Sequence, residues 1–205
     1  MGRYKEGIWL VEDALEVFER LGDTVERARC LIALAWLLRD DKQLDAAEEA
    51  ASRAIDLQEK GQQFEVCKCH LALGRICYAK GTTEKAINHF EAALGIASPF
   101  NWRNLLFWLH HALAELFINE DMFDDAQAHT ERTKSHAIND PFLLAHTMVL
   151  QTWLRYKQHK FEEAKSEALC AADAFGKLGA VDDVEYTKKV FRWIDSQGHG
   201  LLGYP

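Results

Sequence analysis

Proline is scarce in this sequence of 205 residues, which contains only Pro99, Pro141 and Pro205. Because proline interrupts helices, the stretches between these positions can form long helices. No apolar run approaches the roughly 18 to 20 residues that span a bilayer, and the first residues lack the apolar core of a secretory signal. These absences predict a soluble, all-helical, cytoplasmic protein with no membrane partner.

Clustered positive charge is also absent. The 24 Lys and Arg residues are outnumbered by 32 Asp and Glu residues, which gives a net charge of -8, and no run of Lys and Arg occurs. A nucleic-acid-binding surface needs basic side chains gathered on one face. We therefore predict no nucleic-acid partner.

The number of cysteines is odd, which argues against a disulfide framework in a chain without a secretory signal. All lie among apolar residues in helical patterns, where reduced cysteine packs as a small apolar side chain. Cys67 and His70 share a helical face, but Cys69 points elsewhere, and a structural zinc ion needs four converging ligands. We predict no metal ion and no other cofactor. The five cysteines are Cys30, Cys67, Cys69, Cys77 and Cys170.

Catalytic motifs are missing as well. The sequence has no glycine-rich phosphate-binding loop and no serine-nucleophile motif. Paired carboxylates such as Glu48-Glu49, Asp124-Asp125 and Glu162-Glu163 stand at the starts of helical segments. Carboxylates at these positions interact favourably with the helix dipole. The sequence predicts that the protein is not an enzyme.

What the sequence does contain is a repeat. Ala47, Ala86, Ala126 and Ala164 are 39, 40 and 38 positions apart, each near the start of an amphipathic segment. Twelve positions before each alanine stands Ala35, Gly74, Ala114 or Thr152. Small residues at matched positions in two successive helices let the helix axes approach closely. The pattern predicts a series of antiparallel helical hairpins.

The clearest unit, residues 67–98, resembles the tetratricopeptide repeat (TPR) in Leu73-Gly74, Ala86, Phe90 and Ala93. Gly81 suits the end of its first helix, and Thr82 or Thr83 can cap the second. The same frame recurs along almost the whole chain, although the last unit has Ala168 where the family has an aromatic residue. The period of 38 to 40 is longer than the usual 34 or so. It is similar to the period of kinesin light chains and of TPR sensor domains in signalling ATPases.

The resemblance implies a right-handed superhelical solenoid of antiparallel helix hairpins over residues 4–197. The chain starts in the second helix of a repeat, which indicates a fragment of a longer protein, and it ends in a capping helix. The predicted segments are a half-repeat helix at 4–22, full repeats at 24–60, 64–98, 101–137 and 141–178, a capping helix at 181–197, and a flexible tail at 198–205.

In such an array the first helix of each repeat lines a concave groove. The register assigns aromatic and basic residues to this lining, and these residue types are enriched at binding hot spots. We predict that the groove binds a peptide or partner surface, with the alternative that its Trp side chains pack between repeats. The assigned residues are Arg29, Ile32, Trp36, Arg39, Lys68, Leu71, Arg75, Tyr78, Trp108, His111, Glu115, His146, Val149, Trp153 and Tyr156, with Lys188 and Arg192 of the capping helix closing one end.

These features favour a non-catalytic module that binds a protein or peptide partner. Its groove lacks the asparagine pair by which TPR domains hold the C-terminal carboxylate of chaperones, which disfavours that ligand. A first alternative is the sensor or autoinhibitory region of a larger signalling ATPase. A second is a self-association scaffold, in which the exposed N-terminal helix forms a homodimer.

Overall fold

A computed structural model describes residues 2–57 and 62–197. These two ranges contain ten α-helices and one short 3-10 turn, with no strand among them. Consecutive helices pack against each other in antiparallel pairs, as in a TPR-like repeat fold. The predicted tail at 198–205 lies outside the described residues. The chain forms two compact units, one ending at Leu105 and one beginning at Leu106.

The first unit contains five complete helices: α1 (Gly2–Leu21), α2 (Thr24–Asp40), α3 (Leu44–Asp56), α4 (Gln63–Ala79) and α5 (Thr83–Ala97), followed by a 3-10 turn (Ser98–Phe100). Helix α6 (Arg103–Asn119) begins at the end of this unit and continues into the second. The second unit then contains α7 (Phe123–His136), α8 (Pro141–Lys157), α9 (Phe161–Lys177) and α10 (Val181–Gln197). The single continuous solenoid stays a prediction.

The turn inside each hairpin has the same geometry. In each turn, one residue between the two helices adopts a left-handed backbone conformation. The φ angle is 67° at Lys42, 75° at Gly81, 58° at Asp121 and 60° at His159. These positions are 39, 40 and 38 residues apart, which is the spacing of the repeat. The next amide donates a hydrogen bond to a carbonyl five residues earlier, so the last orphan carbonyls of each first helix are satisfied.

The α4–α5 turn also contains Thr82, one of the two predicted helix caps. Thr82 stands at the N-cap of α5 but makes no capping hydrogen bond with its side chain. Its hydroxyl donates instead to the carbonyl of Cys77, at 2.8 Å. The threonine therefore closes the helix before it, because the hydroxyl is oriented back toward the end of α4.

Helices α4 and α5 approach each other closely at Gly74. The ring of Phe90 is 1% exposed and lies directly on the backbone of Gly74. A Cβ placed on Gly74 would stand 2.4 Å from Cε1 of this ring. Glycine is needed here because its missing side chain makes room for the phenylalanine.

The cores alternate small and large apolar side chains. In the first unit, Leu15 of α1 packs with Leu31 of α2, Ala51 of α3 and Ile76 of α4. In the second unit, Val190 and Ile194 of α10 pack on Ala164 of α9. Helix α10 thus covers α9, as expected of a capping helix. No helix in the described ranges is both long and apolar enough to cross a membrane.

Thiol reactivity should divide four of the five cysteines into two groups, while Cys30, which is partly buried and whose pKa burial raises, should react at an intermediate rate. Cys67, Cys69 and Cys77 are buried, and burial raises the pKa of Cys67 and of Cys69 to about 12. Cys170, which we expected to be packed, is exposed on α9. We expect Ellman's reagent to modify Cys170 rapidly and the three buried thiols only on unfolding, since the thiolate is the reactive form. Cys170→Ser should remove the fast phase; rapid labelling that persists in this variant would contradict the assignment.

Candidate binding cavity

The second unit contains a cavity of about 460 Å³ among α6, α8 and α10. Its lining combines apolar side chains with a few polar and aromatic groups, which is the usual make-up of ligand sites. The cavity is lined by His111, Glu115, Ile118, Asn119, His146, Val149, Leu150, Trp153, Tyr186, Lys189 and Val190. The structure thus brings together five of the predicted groove residues, namely His111, Glu115, His146, Val149 and Trp153.

Trp153 has two roles in this unit. It lines the cavity, and it also packs on the core of Ala164, Val190 and Ile194. Its ring lies 5.6 Å from that of Trp193, centroid to centroid. Trp153 thus packs between helices and also lines the cavity, because one edge of a large ring can pack while another faces open space.

His146 is held by aromatic neighbours. Its ring centroid lies 4.6 Å from that of Phe142, 5.0 Å from that of Phe175 and 5.2 Å from that of Trp108. Burial lowers the pKa of His146, while the charge of Asp183 opposes the shift. The imidazole is therefore neutral at pH 7 and presents a hydrogen-bonding group without a charge.

Two opposite charges line the same cavity. Glu115 belongs to α6 and Lys189 to α10. Nδ1 of His111 lies 4.0 Å from the Glu115 carboxylate, one helical turn away. A ligand in this cavity meets a carboxylate and an ammonium group as well as apolar surface.

The face of α10 that lines the cavity is not the face that the sequence predicted. Lys188 and Arg192 were expected to close the groove, but Tyr186, Lys189 and Val190 line the cavity instead. Lys188 and Arg192 are exposed and line a separate recess of about 250 Å³ beside Leu169 of α9. Successive helical residues differ by about 100°, so an error of one position moves a side chain to another face.

Two other predicted groove residues of the second unit lie outside this lining. Trp108 packs against Phe107, with ring centroids 5.0 Å apart, and against His146. Tyr156 packs on Trp193, with ring centroids 4.6 Å apart. Trp108 of α6 thus contacts α8, and Tyr156 of α8 contacts α10.

In the first unit, two predicted groove residues lie in the core. Ile32 is 2% exposed and Leu71 is 7% exposed, so neither is accessible to a ligand. Both face inward because a position on the inner edge of a first helix is covered by the neighbouring hairpin. This corrects their assignment to the groove surface.

The basic groove residues of the first unit already have partners inside the protein. Arg29 donates to the carboxylate of Glu65 from Nε at 3.2 Å and from Nη2 at 3.1 Å. The guanidinium of Arg39 lies 4.6 Å from the ring centroid of Trp36. Lys68 similarly lies over the ring of Phe64, at 5.8 Å. Arg75 and Tyr78 are partly buried on α4.

Two histidine pairs join the helices of the middle hairpins. Nδ1 of His70 on α4 lies 3.0 Å from Nδ1 of His89 on α5. Nδ1 of His110 on α6 lies 2.9 Å from Nδ1 of His129 on α7. The pairs are 40 positions apart. In each, one Nδ1 donates and the other accepts, so at least one ring must be neutral.

Burial lowers the pKa of both rings in the first pair. The pKa of His70 falls through burial and then through the charge of His89. That of His89 falls through burial, which Glu48 opposes and Lys85 reinforces.

Burial lowers the pKa of His110 to about 4, and the charges of His129, His136 and Arg132 add to the shift.

Within residues 2–57 and 62–197, no three His, Cys, Asp or Glu side chains converge as a metal site. Cys67 donates its thiol to the carbonyl of Ala93, at 3.2 Å. The histidine pairs are hydrogen-bonded contacts within hairpins.

Comparison with known families now defines the class of protein. Residues 1–60 and residues 68–99 each match a family model of the tetratricopeptide repeat. The hairpins and their repeating turns have the corresponding architecture. These two ranges contain tetratricopeptide repeats, which suggests a protein-interaction repeat module.

Solved structures with the same fold are distant in sequence. BtubC (BKLC) from P. vanneervenii has a TM-score of 0.69 and 15% identity, over 98% of this chain and 94% of that one. A Rap protein complexed with competence and sporulation factor has a TM-score of 0.69 and 14% identity, over 95% of this chain and 59% of that one. Aspartyl phosphate phosphatase F from Bacillus subtilis has a TM-score of 0.65 and 14% identity, over 98% and 59%.

The present chain therefore spans a little under two thirds of the last two structures. At these identities the likeness shows the fold alone. No curated protein matches the sequence.

Proposed function

We propose that the protein is a non-catalytic interaction module whose second unit binds a peptide, or an exposed segment of a partner, in the cavity among α6, α8 and α10. The observation that supports this proposal is the convergence of His111, Glu115, His146, Val149 and Trp153 on one cavity. These residues come from two separate first helices. In the TPR architecture, first helices form the ligand-binding surface.

The lining defines the chemistry of the segment. Val149 offers apolar surface beside the ring of Trp153, at a wall that also contains the almost fully buried Leu150 and Val190, and tryptophan is prominent among binding hot spots. A volume of about 460 Å³ is within the range of ordinary ligand pockets. The segment inserts an apolar side chain, with a basic neighbour toward Glu115 and an acidic neighbour toward Lys189.

One structural neighbour supports the use of this fold for ligand binding. The Rap protein was solved in complex with competence and sporulation factor. We extend ligand binding to the present chain because its own cavity has a suitable size and lining. The sensor role in a signalling ATPase stays a prediction.

Two neighbouring lysines provide a matched test. A peptide selected on the wild-type protein from a displayed random library should lose about tenfold in affinity to Lys189→Glu, because a charge in the cavity is reversed. Lys188→Glu makes the same change on a face of α10 that does not line the cavity, and it should bind as wild type. Fluorescence polarisation with the labelled peptide measures both affinities.

Trp153→Ala should have a larger effect, of about 30-fold, because truncation of a hot-spot tryptophan costs about 2 kcal/mol or more. Circular dichroism must show that the variant keeps its helical content, since Trp153 also packs on the core. Failure to select any peptide, or equal loss of affinity in Lys188→Glu and Lys189→Glu, would reject the cavity as the binding site.

A further inference from the structure

Helix α1 has two apolar faces. On one face, Ile8, Val11 and Leu15 pack into the core of the first unit. On the other face, large apolar side chains remain uncovered in this chain: Leu10 is 55% exposed, Val17 42% and Leu21 71%. An amphipathic helix that packs on one side of a small unit needs only one such face, so the second face requires a separate explanation.

The exposed face has the spacing of a coiled coil. Leu10, Ala14, Val17 and Leu21 follow one another in steps of four, three and four residues, the heptad pattern of packed helix pairs. At 100° per residue these four side chains fall within an arc of about 60°. We call this stripe the α1 seam. Its width suits one further helix.

The charges beside the seam identify that helix. Glu6, Asp13 and Arg20 stand seven residues apart along one flank. In an antiparallel helix pair, the same flank of each helix faces its counterpart. In such a pair, Leu10 of one copy packs on Leu21 of the other, and Ala14 packs on Val17. This arrangement places Asp13 opposite Arg20 of the second copy. Two-fold symmetry repeats this ion pair, so each dimer contains it twice.

A parallel arrangement lacks this complementarity. Flank positions then pair with residues five places further along the other helix, which sets Asp13 beside Phe18. We propose that a second copy of this chain packs its α1 antiparallel on the α1 seam and forms a two-fold dimer. An interface of this symmetry is self-complementary and closes at two copies.

Sedimentation equilibrium of the full chain over a wide concentration range tests the dimer. The apparent mass should rise from that of one chain to twice that value and then level off. Val17→Glu puts a charge into the seam and should leave the protein monomeric, with unchanged helical circular dichroism because Val17 lies outside the core. A single-chain mass at every concentration would overturn the proposal. Continued growth beyond two copies would overturn it as well.

A charge swap tests the antiparallel register. Asp13→Arg and Arg20→Asp should each weaken the dimer by about tenfold, because two ion pairs change from attraction to repulsion. The double variant restores opposite charges and should return the dissociation constant to within about threefold of wild type. Glu12→Arg is the matched control, since Glu12 is exposed on α1 at about 160° from Leu10, and it should not change association. A double variant as weak as its single parents would overturn the proposal.

Discussion

Replacing Gly74 with alanine is expected to destabilise the protein by about 2 to 3 kcal/mol, within the range for overpacked cores. The new methyl group would stand 2.4 Å from the ring of Phe90, which is itself enclosed. The ring cannot move aside without displacing its own neighbours, because protein interiors are close-packed. Urea unfolding followed by circular dichroism measures the loss.

The control is the same substitution one helix later. Gly95 lies in α5, exposed, and a Cβ placed there has no atom within 4 Å. Gly95→Ala should therefore be neutral or should stabilise the protein by up to about 1 kcal/mol, since alanine is the better helix former. Equal effects at the two glycines would show that the contact with Phe90 is not what requires glycine at position 74.

A compensating change isolates the contact. Phe90→Leu removes ring atoms and should make room for the methyl group of Gly74→Ala. The double variant should then be more stable than the sum of the two single losses implies, by about 1 kcal/mol or more, as for residues in direct contact. Additive losses would mean that the two positions are not coupled.

Acid should weaken the protein through its histidine pairs. Burial holds the pKa of His110 at about 4, below the value of about 6.5 expected in the unfolded chain. The unfolded state thus binds the proton first as the pH falls. The stability from this group is complete above pH 6.5 and is lost progressively as the pH falls toward 4. After allowance for solvent screening, we expect a loss of about 1 to 2 kcal/mol.

The chain itself contains the matched control for this pair. In the α2–α3 hairpin, the positions that correspond to His110 and His129 hold Leu31 and Ala50, both buried. The variant His110→Leu with His129→Ala should therefore keep its packing and lose part of the acid sensitivity. Urea unfolding at pH 7 and pH 4.5 gives the difference between the proteins. An equal decrease in both would contradict a role for the pair.

The repeat frame was sufficient to predict the fold and part of the candidate site. The repeat register indicates which side of a first helix a residue occupies, and the structure places His111, Val149 and Trp153, all expected in the groove, around one cavity. The register does not fix how deeply a side chain is covered by the next hairpin. Ile32 and Leu71 occupy the expected side but are buried.

The orientation of α10 and the contacts between the histidines could not be predicted from the repeat register. Helix α10 has no counterpart in the other repeats, so its rotation had no internal reference, and Lys189 was missed in favour of Lys188. The contact of His110 with His129 joins two helices, and only the distance between those helices decides whether the rings meet. The sequence does show that His70 and His89 recur 40 positions later as His110 and His129. This periodicity alone does not distinguish a contact between two histidines from two separate surface positions.

The hairpin turns carry a consequence for protein engineering. Of the four within-repeat turns in the described ranges, only that of α4–α5 has glycine at its left-handed position, whereas the others have Lys42, Asp121 and His159. A side chain in this conformation costs roughly 1 kcal/mol. The α4–α5 turn is thus the least strained of these four, and its hairpin is the unit to copy when an idealised array of identical repeats is built from this sequence.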